Sequence, residues 1–290
     1  MLVEMCVLLR DAQARSYAVG SFDAPSLETA YGILEAAQAE KSPVIVAVPE
    51  NFMNLCPFEE YIGAVRRCAE PLDIPVALLL DHGKSYETCI RAVKAGMTSV
   101  MFDGSSLPWE ENVATTSRLV EYCRPRGVAV EGEIGQVIRA ADFVADVTEI
   151  ERHLTTASEA IEFARRTDVD ALAIAVGTAH GQYRGTPRIH YDVIASVRNA
   201  IDVPLVLHGG SATGDEALQE SIRHGIAKIN IYTDMSLRAV TQVRELLNNE
   251  RAYARYNDVV LQGRQAFREV AAHYMRVFGS SGKAEGVKVA

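Results

Sequence analysis

Residues 76–83 read Val76-Ala77-Leu78-Leu79-Leu80-Asp81-His82-Gly83. Five apolar residues come without alternation, followed by an acid, an imidazole and a glycine. A run that is apolar throughout fits a parallel strand buried on both faces. The polar residues at its C-terminal end fit a strand that opens onto a site. The pattern recurs along the chain. We read strands at Ala18–Phe22, Val44–Val48, Val76–Leu80, Ser99–Phe102, Val128–Ile134, Ala171–Val176, Pro204–Leu207 and Ala227–Ile231, eight in all.

The intervening segments have helical spacing. Ser26 is placed to cap Ala30–Glu40, with Thr29 where a capping box prefers Glu or Gln. Tyr86–Ala95 puts Cys89, Ile90 and Val93 on one face and ends at Gly96. Glu110–Arg124 and Asp215–His224 follow the same plan, and the stretch from Asp234 to about Phe278 reads as helical tail. Eight strand–helix units in about 230 residues, with no Pro/Gly/Ser-rich linker, predict a single α/β domain over 1–290. Its expected form is a (β/α)8 TIM barrel with extra C-terminal helices. A doubly wound open sheet shares the alternation and is the alternative.

Composition narrows the function classes. The 290 residues hold 29 Lys+Arg against 38 Asp+Glu, a formal net charge of −9, which argues against nucleic-acid binding. No apolar run approaches the ~18 residues of a membrane span. Met1-Leu2-Val3-Glu4-Met5 lacks the basic start of a signal peptide, and the five cysteines include no C-x-x-C pair, so a reducing cytoplasm is expected.

The strand ends carry the chemistry. Shuffling seven His and twenty Gly through 290 residues would give about half a His-Gly pair; four occur. His224-Gly225 closes a helix. The other three, at His82, His180 and His208, lie at strand C-termini, where three imidazoles can converge as in a catalytic zinc site with an open position. Three separately hydrogen-bonded loop histidines are the alternative. Asp81 is a candidate general acid/base, or else a loop-ordering carboxylate. Glu131 and Glu133 flank Gly132 and face the same side. One is a partner behind the ligands or an alternative metal ligand; a core salt bridge is the competing reading. Gly209-Gly210-Ser211, with Asn230 to Thr233 after the last strand, suits a phosphate held by backbone N–H groups.

Together these stretches resemble the class II, zinc-dependent ketose-bisphosphate aldolases, the fructose- and tagatose-bisphosphate group. The resemblance rests on Tyr17–Gly20, Leu80–Ser85, Ala95–Ser105, Val130–Gly135, Gly177–Gly181, Pro204–Ser211, Gly225–Asn230 and Phe278–Lys283. It implies a lyase that reversibly cleaves a ketose (bis)phosphate to dihydroxyacetone phosphate and an aldehyde. It makes His82, His180 and His208 the Zn2+ ligands, with Glu133 as an alternative ligand or a group behind them. Asp81 exchanges the proton on the oxygen at the cleaved carbon, and Asn230 stabilises developing charge. Gly181, Gly209, Gly210, Ser211, Asn230, Ile231, Tyr232 and Thr233 hold dihydroxyacetone phosphate. A homodimer or homotetramer is implied, and Arg276 reaches a phosphate or else is a surface cation.

The departures cluster on one side. Where the family carries a Gly-Gly-x-Glu-Asp loop whose Glu moves the C3 proton, this chain reads Val137-Ile138-Arg139-Ala140-Ala141-Asp142, with Ala141 in place of the Glu and Asp146 and Glu149 nearby. Ala47 and Pro49 replace a Gln and a Ser, Asp23 an Asn, and Ala212 a Gly. The aldehyde is therefore expected to differ from glyceraldehyde 3-phosphate. A catalytically silent sugar-phosphate-binding barrel, or a partner subunit of an aldolase, is the second reading. Metal-dependent hydrolysis is the third.

Overall fold

The structure, a computed structural model, describes residues 1–53, 55–135, 137, 139–146, 154–184, 188–248 and 254–287, with 139–146 and 182–184 described by backbone alone. The chain opens with α1 (Met5–Ala14), β1 (Val19–Asp23), α2 (Leu27–Glu40), β2 (Val44–Pro49) and α3 (Phe58–Ala69). Next come β3 (Val76–Gly83), α4 (Tyr86–Ala95), β4 (Ser99–Phe102), α5 (Trp109–Cys123), β5 (Ala129–Ile134) and β6 (Arg139–Asp146). Then follow α6 (Ala157–Thr167), β7 (Ala171–Ile174), β8 (His180–Arg184), α7 (Tyr191–Ala200) and β9 (Leu205–Leu207). The chain finishes with α8 (Asp215–His224), β10 (Ile226–Ile231), α9 (Thr233–Leu247) and α10 (Tyr256–Val277).

Eight parallel strands close into a barrel in the order β1-β2-β3-β4-β5-β7-β9-β10, and β10 returns to β1 with Val19 opposite Lys228 and Phe22 opposite Ile231. The alternative of an open sheet is thereby excluded. The apolar runs divide as a two-sided strand requires. Val44, Val46 and Val48 of β2 pack outward with the helices, whereas Ile45 and Ala47 join an interior cluster with Ala77, Leu79, Met101, Ala129 and Ala171. That interior is plugged from below by α1, whose Met5, Leu8, Leu9 and Ala12 are fully buried against it. The Met5 amide donates to Ser99 Oγ at 2.9 Å, which fixes the plug to β4.

Local signals set the element ends. Ser26 and Thr29 form a reciprocal capping box on α2, so Thr serves where Glu or Gln was expected, and α2 begins at Leu27. Gly96 takes φ +98 and ends α4. The tail is helical as read but divides into α9 and α10. Arg264 of α10 grips Glu35 of α2 (2.9 Å at Nε), and a Cβ on Gly32 would lie 2.5 Å from the Arg264 carbonyl oxygen. Two features depart from the eight-unit expectation. The α1 plug lies in residues 5–14, to which the sequence reading assigns no element. β6 and β8 pair with each other outside the barrel, so His180 begins β8 rather than ending a barrel strand.

Candidate metal and sugar-phosphate site

The three strand-end histidines meet at the barrel mouth. His82 Nε2 lies 3.2 Å from His180 Nε2 and 3.1 Å from His208 Nδ1. Tetrahedral nitrogens at the ~2.0–2.1 Å of zinc ligands stand roughly 3.3 Å apart, so these separations suit one shared cation. The third strand bulges before Gly83, and His82 itself takes φ 49, a left-handed conformation that turns its ring from the strand line into the mouth. Gly209 takes φ +70 where the His208 loop crosses Thr178–Ala179, and Thr178 Oγ1 donates to the His208 carbonyl at 2.7 Å. These contacts set the spacing between His180 and His208.

Each of two of these rings is held from behind by a carboxylate. His82 Nδ1 lies 2.8 Å from Asp103 Oδ2, and His208 Nε2 lies 2.8 Å from Glu131 Oε1. The opposite nitrogens, Nε2 of His82 and Nδ1 of His208, are thus the pair turned toward the centre. Asp103 also receives Lys84 Nζ and, at 2.6 Å, Ser105 Oγ. Against its burial, bonds from His82, Lys84 and Ser105 hold the Asp103 carboxyl far below the usual range. Glu131 and Glu133 do face the same side. Gly132 between them faces outward, where a Cβ would lie 2.7 Å from the Phe163 ring. Glu131 is a core salt-bridge partner of Lys228 (2.7 Å) and stands behind His208 at once. Glu133 Oε2 is buried, makes no hydrogen bond among the described residues, and stands 3.8 Å from His82 Nδ1.

Electrostatics differ across the cluster. Burial opposes a charged His82, but Asp81, Asp103 and Glu133 prevail and push its pKa up to about 9. Burial, then the facing His82 and Lys228, holds His208 well below the ordinary imidazole value. Burial, then Asp103, pushes the Glu133 carboxyl up to about 8.

A cleft of about 780 Å³, open to solvent, runs from the histidines across the mouth. Asp81 borders it with Oδ2 3.8 Å from His82 Nε2, while Asn230 Nδ2 donates to Asp81 Oδ1 at 3.1 Å. Gly181, Gly209, Ser211, Ile231, Tyr232 and Thr233 line it. Gly210 does not; its N–H donates to the Asn230 carbonyl at 3.1 Å and ties the loop after β9 to β10. Ala212, where the resemblance has Gly, adopts φ 58 and donates its N–H to Asp234 Oδ2 at 3.1 Å. Of the substituted positions, Pro49 and Asp23 face the cleft, whereas Ala47 lies in the plugged interior. Arg276 contacts Glu40 on the surface, more than half exposed. The side chains of Ala141, Asp142 and Asp146, and all of Ile138 and Glu149, lie outside the described residues.

Sequence reasoning did not single out Asp103, Lys228, Asn51 or Phe52. Asp103 had a signal, since it ends the strand beside β3. Lys228 is a lone cation in an apolar run, and such a residue needs a buried acid. Asn51 and Phe52 follow β2 and line the cleft, with Phe52 5.3 Å from Tyr232 ring to ring.

This fold and site define a parallel barrel whose C-terminal face gathers a His-rich potential metal site, a neighbouring acid and a glycine-rich loop. A family model described as "Fructose-bisphosphate aldolase class-II" matches residues 3–283. The chain is 40% identical over 286 residues to a fructose-bisphosphate aldolase of Geobacillus stearothermophilus, covering 98% of this chain and 99% of that one. It is 38% identical over 288 residues to the one of Staphylococcus epidermidis, with coverage of 98% and 99%. The crystal structure of the YdjI aldolase from Escherichia coli K12 superposes with a TM-score of 0.87 at 33% identity, covering 98% of this chain and 100% of that one. The chain belongs to the class-II fructose-bisphosphate aldolase family.

Proposed function

We propose that this protein is a zinc-dependent aldolase that reversibly cleaves a ketose phosphate to dihydroxyacetone phosphate and an aldehyde other than glyceraldehyde 3-phosphate. The observation that carries the reading is the convergence of three imidazole nitrogens beside Asp81 and Asn230. The residues fit the metal. His208 gives Nε2 to Glu131 and keeps Nδ1 for a cation, and the buried Asn230 Oδ1 makes no hydrogen bond among the described residues. His82, His180 and His208 are the ligands in this reading, with Glu133 as the alternative. A bound zinc supplies the positive charge that polarises the ketose carbonyl.

The remaining roles belong to the chain. In cleavage Asp81 takes the proton from the hydroxyl on the carbon being released as aldehyde, and in synthesis it returns that proton. Asn230 Nδ2 aims Asp81 and donates to negative charge as it develops on the substrate oxygen. The phosphate of dihydroxyacetone phosphate sits against Gly181, Gly209, Ser211 and residues 230–233. There α9 begins at Thr233 and offers the N–H groups and positive dipole end of its first turn. The aldehyde end lies toward Pro49, Asn51 and Phe52. Among the described residues lining the cleft none is Lys or Arg, which supports an aldehyde without its own phosphate.

We take the chain as one domain acting in the cytoplasm as a homodimer or homotetramer. Exposed Leu237, Val240, Leu247, Tyr256 and Leu261 on α9 and α10 support self-association. Among the described residues no helix is long and apolar enough to cross a membrane. The function is tested by incubating the protein with dihydroxyacetone phosphate and a panel of aldehydes, with and without chelator, and identifying products by mass spectrometry. A new metal-dependent aldol is expected. Absence of product with every aldehyde, or full activity in His180→Ala, overturns the reading.

A further inference from the structure

Lys228 lies in β10, two residues before Asn230, and is completely buried. Its Nζ is 2.7 Å from Glu131 Oε2 on the far side of the barrel interior, and Glu131 is also completely buried. The other Glu131 oxygen lies 2.8 Å from His208 Nε2, and His208 Nδ1 faces His82 Nε2 at 3.1 Å. Four groups therefore form one line from the barrel interior to the metal centre.

We propose that Lys228 is a positioning residue for the metal: through Glu131 it fixes the ring orientation and tautomer of His208. An ammonium group only donates, so Oε2 of Glu131 is held as an acceptor and the carboxylate plane is set. Oε1 is then aimed at Nε2 of His208, which must carry its proton to bond there. Nδ1 is left as a lone pair directed at the cation. The sequence gives the same pairing a reason to be buried. A surface lysine could not hold a carboxylate that faces the interior, and β10 is the strand that also carries Asn230, whose Nδ2 lies 3.3 Å from His208 Nδ1.

This inference rests on the three-histidine metal reading above, and the test separates the two. Chelator-stripped wild type and Lys228→Met are titrated with cobalt(II), with circular dichroism confirming the fold of each. Lys228→Met is expected to bind cobalt about 10–100-fold more weakly. Its ligand-field spectrum should also shift, because the His208 nitrogen is no longer held on axis. A folded Lys228→Met with wild-type affinity and spectrum overturns the inference and leaves the aldolase reading intact. Wild type that binds cobalt through the histidines yet makes no aldol overturns the aldolase reading alone. Should Lys228→Met not fold, nitrogen-15 spectra of zinc-loaded wild type decide. A proton on His208 Nε2 together with slowly exchanging Lys228 ammonium protons is expected. A proton on Nδ1, or rapidly exchanging Lys228 protons, overturns the inference.

Discussion

Gly209 joins the conformational and chemical parts of the site, and its replacement by alanine separates them. It has φ +70, and a Cβ there would strike the Ala179 carbonyl, 2.6 Å from its carbon. Gly282 makes the control: its φ is +74, and an added Cβ meets nothing within 4 Å. Both substitutions force an L-residue into the left-handed region, at about 1–2 kcal/mol. Only Gly209→Ala adds a collision between two backbones, worth about 1–3 kcal/mol more by comparison with overpacked cores. At roughly 2 °C per kcal/mol for a chain of this size, Gly282→Ala should lower Tm by about 2–4 °C and Gly209→Ala by about 4–10 °C. The collision also pushes apart the residues beside two ligands, since Ala179 precedes His180 and Gly209 follows His208. Zinc affinity should fall by about tenfold or more in Gly209→Ala, within the range seen when ligand support is lost, and stay at the wild-type value in Gly282→Ala. Thermal melts of chelator-treated proteins and a zinc titration against a competing dye give both readings. Equal Tm losses, or wild-type zinc affinity in a folded Gly209→Ala, would refute the argument that this crossing sets the ligand spacing.

Asp81→Asn keeps the shape but removes the proton acceptor. Aldol turnover should drop by at least about 10²-fold while zinc binding persists; loss of both together would mean that Asp81 is mainly a metal-site residue. Zinc at about 100 times its Kd should stabilise the fold by roughly 2.7 kcal/mol, so chelation lowers Tm, and an unchanged melt in His180→Ala with and without zinc is the matched control. Burial raises the Asp170 carboxyl above its usual value of 3.8, although the Val130 N–H donates to it at 2.9 Å. A raised acid contributes stability that is full below its unfolded pKa and is lost as pH rises through the folded one. The stability of wild type relative to Asp170→Asn should therefore decline from acid toward neutral pH, and a difference that grows instead would contradict the burial argument.

The barrel was legible because its strands are apolar on both faces, and Val44–Val48 or Val76–Leu80 admit few other readings. The histidine cluster was legible because strand C-termini converge by construction, so position along the chain stood in for position in space. What escaped was whatever depends on a partner far away in sequence. Lys228 was read inside the strand Ala227–Ile231 without a role; its bond to Glu131, 97 residues earlier, is what accounts for its burial. Arg139–Asp146 is broken by Arg139, Asp142 and Asp146, and His180–Arg184 by His180, Gln182 and Arg184, so neither fits the apolar template of a barrel strand, yet they pair with each other outside it. The α1 plug was missed for another reason: Met5–Ala14 follows no strand, and its burial is evident only when the open base of the barrel is in view.

The charge of the site gives the most general argument for a metal in this acidic protein. Asp81, Asp103, Glu131 and Glu133 are all buried around His82 and His208. Lys228 and Lys84 are the ammonium groups bonded to them among the described residues. With all four carboxylates ionised, four against two ammonium groups would leave a formal excess of two negative charges in a mouth that must also admit a phosphate ester, an excess that protonation of Glu133 and His82 relieves. The excess explains why burial and Asp103 push Glu133 up to about 8, and why His82 is drawn toward its charged form. In the proposed reading a divalent cation takes the place of those protons and makes the mouth attractive to an anion. With a net charge of −9 the protein cannot draw phosphate by its overall field. In the proposed function the cation, the N-terminus of α9 and the backbone around Gly209 do so locally, from the same few strand ends.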